Sequence, residues 1–167
     1  MKNLTAISGF EIKEATENDL ELILMFIKEL AMFEKLSDKV TATTDTLKQS
    51  LFSENKIAEA IIGYYNNLPV AFAIYFHNFS TFVGKKGLYL EDLYVKPDLR
   101  GKGLGKEMLL YLVRLAKERD CGRFEWAVLD WNTSAIQFYK SLGAEPMNEW
   151  TIFRLDADAI NKLTEKA

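Results

Sequence analysis

The sequence predicts an α/β fold, a central mixed β-sheet with helices on its faces. Three observations carry that prediction. The 167 residues are 49% hydrophobic and 27% charged, which suits one folded core and is too apolar for a disordered chain. Apolar residues recur with the two-residue period of strands in some stretches and with helical spacing in others. These stretches alternate in the order β-α-α-β-β-β-α-β-α-β, as in a sheet covered by helices.

Phe10-Glu11-Ile12-Lys13 alternates apolar and charged residues and reads as a short edge strand. Thr16-Glu17-Asn18-Asp19 is a capping signal, followed at helical spacing by Leu20, Ile23, Leu24, Ile27, Leu30 and Ala31, so a helix runs to about Glu34. A second short helix starts at Thr43-Thr44-Asp45, with Leu47 and Leu51 on one face. Residues 58–65 and 70–76, separated by Asn66-Asn67-Leu68-Pro69, read as a hairpin. Residues 88–95 form a buried strand ended by Lys96-Pro97. A long helix then carries Leu104, Met108, Leu112, Leu115 and Ala116 inward and is closed by Cys121-Gly122. A strand over 124–129, a helix over 133–142 ended by Gly143, a last strand over 150–155 and a short helix capped by Asp156 complete the chain. No repeat or linker divides it, so residues 1–167 are read as one domain.

Composition excludes several kinds of chemistry. Twenty-one basic residues against 24 acidic ones give a net charge of −3, which is no electrostatic footprint for nucleic acid. One cysteine, Cys121, cannot form an internal disulfide, and with one histidine, His77, it cannot supply a Cys/His zinc site; no metal is expected. A Ser-His or Cys-His catalytic pair would have to use His77, which reads as an ordinary polar residue at a strand. Residues 1–9 hold no apolar run long enough for a signal peptide, and no stretch approaches the roughly 20 apolar residues of a membrane span. The expectation is a cytoplasmic protein whose chemistry rests on carboxylates, tyrosines and backbone amides.

The most informative stretch is Arg100-Gly101-Lys102-Gly103-Leu104-Gly105, between a strand and a helix. Glycines allow positive φ and close approach of backbone to a ligand, and a helix N-terminus favours anions, so this turn is suited to phosphate. Lys102 and Lys106 add charge beside it. It is neither a P-loop, since Glu107 follows Lys106 where Ser or Thr is needed, nor a dinucleotide fingerprint, since Gly101-x-Gly103 leads to Lys106. Without a ligand it would be a glycine-rich entry to a helix.

Val95-x-Pro97-x-x-Arg100-Gly101-x-Gly103-x-Gly105 resembles the acetyl-CoA signature of the GNAT superfamily of N-acetyltransferases, with Arg100, Gly103 and Gly105 at its core positions. Asn132, Ala135, Phe138-Tyr139 and Leu142-Gly143 resemble the family's second motif. Phe26 to Ala31, Leu88 to Asp92, and Trp131-Asn132 through Lys140 are similar to the spermidine/spermine and thialysine acetyltransferase branch. The resemblance covers nearly the whole chain and is loosest over 66–85.

That resemblance implies acetyl-CoA as co-substrate, a small-molecule amine as acceptor, no nucleic-acid or membrane partner, and a homodimer with 150–155 near the interface. It implies that Leu93, Tyr94, Val95, Arg100, Gly101, Lys102, Gly103, Leu104, Gly105, Lys106, Asn132 and Ala135 bind the coenzyme. It makes Tyr139 the general acid for the departing thiolate and Glu91 the group that handles the amine's proton. Phe33, Glu34, Glu91, Glu125, Trp126 and Ala127 match acceptor-contacting positions. Read from residues alone, Tyr139 is a core aromatic at helical spacing, Glu91 a strand residue reaching solvent, Glu34 a solvated helix end and Asn132 a helix cap. Glu91 and Asp92, as strand neighbours, should face opposite sides, with Asp92 structural near a bulge. Alternation likewise sets Glu125 and Ala127 on one face and Trp126 on the other. Two departures stand out: Leu142 replaces a basic residue near the coenzyme, and Phe33 replaces a tyrosine.

Overall fold

The structure is a computed structural model that describes residues 5–165; the first four residues of the stretch read for a leader lie outside them. The chain forms two compact units, one ending at Ala127 and one starting at Val128.

The first unit is built on a five-stranded sheet whose order follows the chain: β1 (Phe10–Glu14), β2 (Glu59–Tyr65), β3 (Leu68–Ser80), β4 (Lys85–Val95) and β5 (Phe124–Trp126). Pairing is antiparallel from β1 to β4 and parallel between β4 and β5. A parallel neighbour needs a crossover, and α3 (Leu104–Glu118) supplies it. The β2–β3 hairpin is tighter than expected: Tyr65 faces Leu68, so the loop is Asn66-Asn67 alone. Both asparagines take positive φ (51° and 64°), the requirement of a two-residue hairpin turn and one that Asn tolerates.

Helices α1 (Leu20–Phe33) and α2 (Thr44–Phe52) start where the capping signals stand. Asp19 accepts from the Thr16 N–H at 2.8 Å, and Thr43 Oγ1 accepts from the Thr46 N–H at 3.2 Å. Ile23, Phe26, Leu30, Leu47 and Leu51 pack on Ala60, Ile62, Phe72, Ile74 and Tyr94. The rings of Phe26 and Phe72 stack at 5.4 Å. The alternate β3 residues Ala71, Ala73 and Tyr75 are buried as well, and α3 packs on β3 and β4 through Leu104, Met108, Leu112 and Leu115. A strand buried on both faces loses the polar half of its alternation, hence the apolar run over 70–76. Glu59 of β2 accepts a two-pronged ion pair from Arg119 at the end of α3, with one contact at 2.8 Å.

Two further expectations for this unit are corrected. The strand after α3 stops at Trp126, because its pairing with β4 ends at Leu90↔Trp126. The residue that ends α3 in the left-handed region is Asp120 (φ 52°), ahead of Cys121-Gly122, and the Cys121 N–H then donates to the Ala116 carbonyl. Gly122 serves close packing, since a Cβ there would lie 2.8 Å from Val83.

The second unit holds α4 (Thr133–Ser141), followed by Gly143 at φ 86°, and α5 (Ala157–Thr164), capped by Asp156, which accepts from the Ala159 N–H at 2.9 Å. The strand expected over 150–155 is absent: no described strand pairs with it, and its backbone is irregular. A strand exists only with a partner, and here Trp150, Ile152 and Phe153 are exposed, Phe153 by 91%.

Candidate active site

The site in the first unit is made where β4 parts from β5. Only Leu88, Tyr89 and Leu90 of β4 pair with β5, while the pairing with β3 continues to Val95. Within that stretch the register shifts: Tyr75 faces Leu90 and Ile74 faces Asp92, which leaves Glu91 as the extra residue of a bulge.

The bulge decides which amides face the open edge. The Leu88 N–H donates toward β5, to the Arg123 carbonyl at 3.0 Å. The Lys96 N–H donates the other way, to Val70 at 2.9 Å. In a regular strand all even-numbered residues would point alike; the extra residue reverses them. Leu93 and Val95 therefore turn their backbone groups to the open side, and Tyr94 turns its own to β3. An edge of free amides is a set of donors for an extended polar chain laid beside it.

Past Val95, Pro97–Leu99 makes a single 3-10 turn and the glycine turn begins. Gly101 and Gly103 have φ of 76° and 82°, where a side chain is strained. Gly105 is different. Its backbone is helical, and an added Cβ would meet only Val95, at an ordinary 3.6 Å. Gly103 caps α3 with no side-chain hydrogen bond, so the first amides of the helix are left to another acceptor. Leu104 is buried and anchors the helix, while Lys102 and Lys106 are exposed beside the turn. Uncapped amides, a positive helix end and two lysines form a donor set that fits a pyrophosphate.

Arg100 is committed within the protein. Its Nε donates to the Val95 carbonyl at 2.9 Å, and its guanidinium lies 4.1 Å from the centre of the Phe33 ring and 5.5 Å from that of Tyr94. The Tyr94 phenol is itself raised, first by burial and then by the negative charge of Glu29 of α1.

Three carboxylates gather near the bulge. Glu34 follows the last residue of α1, whose end is closed by Lys35 at φ 60° and by the Leu36 N–H donating to Ala31 at 2.8 Å. Burial raises the Glu34 carboxyl above its ordinary range. Asp92 is half-buried on the sheet and is pushed up to about 6, first by burial and then by the negative charges of Glu91 and Glu34. Glu91 is exposed and Asp92 half-buried, as the two sides of a strand would have them, yet the charge of Glu91 still reaches its neighbour. On sequence Asp92 is expected to be structural, near a bulge. The signal for more was its place in an apolar run, where an ionised carboxylate is costly without a partner.

Glu125 lies elsewhere. It faces Tyr89, stands 2.8 Å from Arg123 Nε and accepts from Asn78 at 2.9 Å. Trp126 packs on Phe124 with ring centres 5.0 Å apart, and Ala127 follows the strand. His77 sits in β3 opposite Leu88, an exposed residue whose pKa burial and Arg119 lower.

In the second unit, Asn132 caps α4 by accepting from the Ala135 N–H at 3.3 Å. Tyr139 is half-buried on α4 beside Phe138, ring centres 5.3 Å apart, and burial raises its phenol. Leu142 stands at the helix end.

A mixed sheet splayed at a bulge, with an uncapped glycine turn at the end of the splayed strand, is a frame that fits an extended polar ligand ending in an anion. Residues 24–144 match the model of the Acetyltransferase (GNAT) family, and the chain belongs to that family. It is an N-acetyltransferase. The chain is 37% identical to the thialysine N-epsilon-acetyltransferase of Sus scrofa, over 93% of this chain and 97% of that one. It is 34% identical to the enzyme of that name from Caenorhabditis elegans, over 96% and 100%. Among solved structures, an integron cassette protein of V. cholerae superposes with a TM-score of 0.78 at 29% identity, over 95% of this chain and 99% of that chain. An aminoglycoside acetyltransferase from an uncultured soil metagenomic sample, at 18% identity, shares the fold with a TM-score of 0.75, over 91% and 100%.

Proposed function

We propose that this enzyme transfers an acetyl group from acetyl-CoA directly to the primary amine of a small cationic acceptor, a polyamine, a diamine or a thialysine-like amino acid. The observation that carries the acceptor class is the Glu34, Glu91 and Asp92 group. Burial and mutual repulsion hold Asp92 near 6, and no cation contributes to its shift. Such a group gains most from a ligand that brings positive charge. The thialysine relatives, and an L-ornithine N5-acetyltransferase of Arabidopsis thaliana 27% identical over 91% of this chain, carry names that fit the reading.

Acetyl-CoA supplies an activated thioester. The open amides of Leu93 and Val95, with Tyr94 between them, serve its amide chain and carbonyl. Arg100, Gly101, Lys102, Gly103, Leu104, Gly105 and Lys106 build the pyrophosphate cradle, and Asn132 and Ala135 add contacts from the second motif. Glu91 accepts the proton of the acceptor ammonium, and Tyr139 gives one to the departing sulfur. A phenol raised by burial keeps its proton at neutral pH, as a general acid must. Glu34 and Asp92 hold the cation, with Phe33, Glu125, Trp126 and Ala127 shaping the acceptor side.

We place the enzyme in the cytoplasm as a homodimer of one-domain chains, acting without metal, nucleic acid or membrane. Among the described residues no helix is long and apolar enough to cross a membrane. The exposed Trp150, Ile152 and Phe153 support a surface covered by a second copy. The test is thiol release from acetyl-CoA across a panel of diamines, polyamines, lysine analogues, aminoglycosides and peptides. Release only with small amines, cut about a hundredfold or more by Tyr139→Phe, is the expected result. Preference for a peptide or an aminoglycoside would overturn the acceptor class, and full activity of Tyr139→Phe would remove Tyr139 from the mechanism.

A further inference from the structure

Phe33 stands at the last position of α1, next to Glu34, and matches an acceptor-contacting position of the acetyltransferase branch that the chain resembles. Its observed neighbour points to a different task. The guanidinium of Arg100 lies 4.1 Å from the Phe33 ring centre, within the range of a close cation–π contact. The same guanidinium donates from Nε to the Val95 carbonyl, the last open backbone acceptor of β4. Two restraints of different kinds therefore act on one planar group: an aromatic face from α1 and a hydrogen bond to β4. Arg100 is also the residue from which Gly101 and Gly103 depart into the left-handed region.

A glycine-rich turn is free to take many conformations, and order must reach it from its flanks. On the helix side, Leu104 is buried and fixes the turn's exit. At its entry, Arg100 is largely exposed and has no acidic partner among the described ion pairs, so its stack on Phe33, its wider contact with the Tyr94 ring and its bond to Val95 are what hold it. A second link runs in parallel, where the Tyr94 ring packs beside that of Phe26 of α1, ring centres 6.1 Å apart.

We infer that Phe33 is a positioning residue for the coenzyme turn, acting through Arg100. It sets the entry of the turn and joins it mechanically to the helix end that carries Glu34. The inference rests on the reading of the turn as a coenzyme cradle and goes beyond it by giving the ring a task on the coenzyme side. It also accounts for phenylalanine where the branch has tyrosine: stacking needs the face of a ring and not a hydroxyl.

Titration calorimetry of the whole enzyme with CoA tests this. Phe33→Leu keeps apolar volume but removes the aromatic face, and its CoA affinity should fall about three- to tenfold. Phe33→Tyr and Phe33→Trp should retain wild-type affinity. In Arg100→Met, adding Phe33→Leu should cause no further loss, since both act through one contact. At saturating acetyl-CoA the acceptor KM should change less than the CoA affinity. Unchanged CoA affinity in Phe33→Leu, a full additive loss in the double variant, or a rise confined to the acceptor KM would overturn the inference while leaving the cradle in place. A wild-type enzyme that binds no CoA would overturn the cradle and the inference with it.

Discussion

The two ends of β4 are parts of one strand with opposite duties. From Leu88 to Leu90 it is hydrogen-bonded on both sides, to β3 and to β5, and Leu88 is fully buried. From Glu91 to Val95 it keeps only β3, carries a bulge, and ends at a turn with two glycines in the left-handed region. The first end is paired with a strand on each side. At the second, amides are left open and Asp92 sits where burial disfavours its charge, beside the exposed Glu91. The difference shows where this fold places its stability and where it forgoes stability for a site. A single inserted residue, Glu91, separates the two regimes.

Truncation at the paired end gives the largest expected effect. Leu88→Ala should cost about 2–5 kcal/mol of stability, read as a lower midpoint in urea, while the molecules that remain folded keep their acetyl-CoA turnover. Asp92→Asn at the open end should do the reverse. It removes a charge that folding has to bury, so stability at pH 7 should rise by at most about 3 kcal/mol. The kcat/KM for the amine should fall about ten- to a hundredfold, mostly through KM, because the charge-assisted contact to the ammonium is lost. If Leu88→Ala removed turnover without loss of stability, or Asp92→Asn destabilised the fold, the division of labour along β4 would be wrong.

The pH dependence of stability sharpens the same contrast. Asp92 titrates near 6 when folded, against 3.8 ordinarily. Between those values the folded state binds a proton that the unfolded state does not, so stability rises as pH falls from 7 toward 4. Glu34 is raised and contributes in the same direction. Glu59 has the opposite sign: its pair with Arg119 lowers its pKa, and its contribution is lost only as pH falls below the ordinary glutamate range. Denaturation from pH 7 to pH 4.5 should therefore show rising stability in the wild type and a flatter profile in Asp92→Asn. Equal slopes in the two proteins would remove Asp92 as the source.

Much of this contrast is legible in the sequence, and the physical reason is locality. The capping residues Thr16 and Thr43, the inward set of α3 and the two positive-φ glycines are each decided within a few residues, and each is where the spacing puts it. The bulge is not local in that sense. It is a relation between Leu90-Glu91-Asp92 and Ile74-Tyr75 across two strands, and its only trace is an acidic pair inside an apolar run. The same holds for Phe33 and Arg100, which meet only because α1 lies over the end of β4. Residues 150–155 fail as a strand for a related cause: composition can favour an extended chain but cannot provide its partner. The short β5 is the milder form, ending where β4 turns away.

The smallest expected effect divides the glycines of the turn itself. Gly103 has φ 82°, so Gly103→Ala should cost about 1–2 kcal/mol of stability, and CoA affinity should fall with it because the uncapped amides move. Gly105 is helical, and a Cβ there meets Val95 at 3.6 Å, so nothing in the protein demands glycine. Alanine loses less entropy on folding, and Gly105→Ala should gain about 0.5–1 kcal/mol. What a methyl at Gly105 would obstruct is a ligand lying against the helix end. A stability gain accompanied by a two- to threefold loss of CoA affinity, an effect on the order of half a kcal/mol, would place the coenzyme against that residue. A gain with no change in affinity would move it outward, toward Lys102 and Lys106, and the cradle would then act through charge more than through close approach of the backbone.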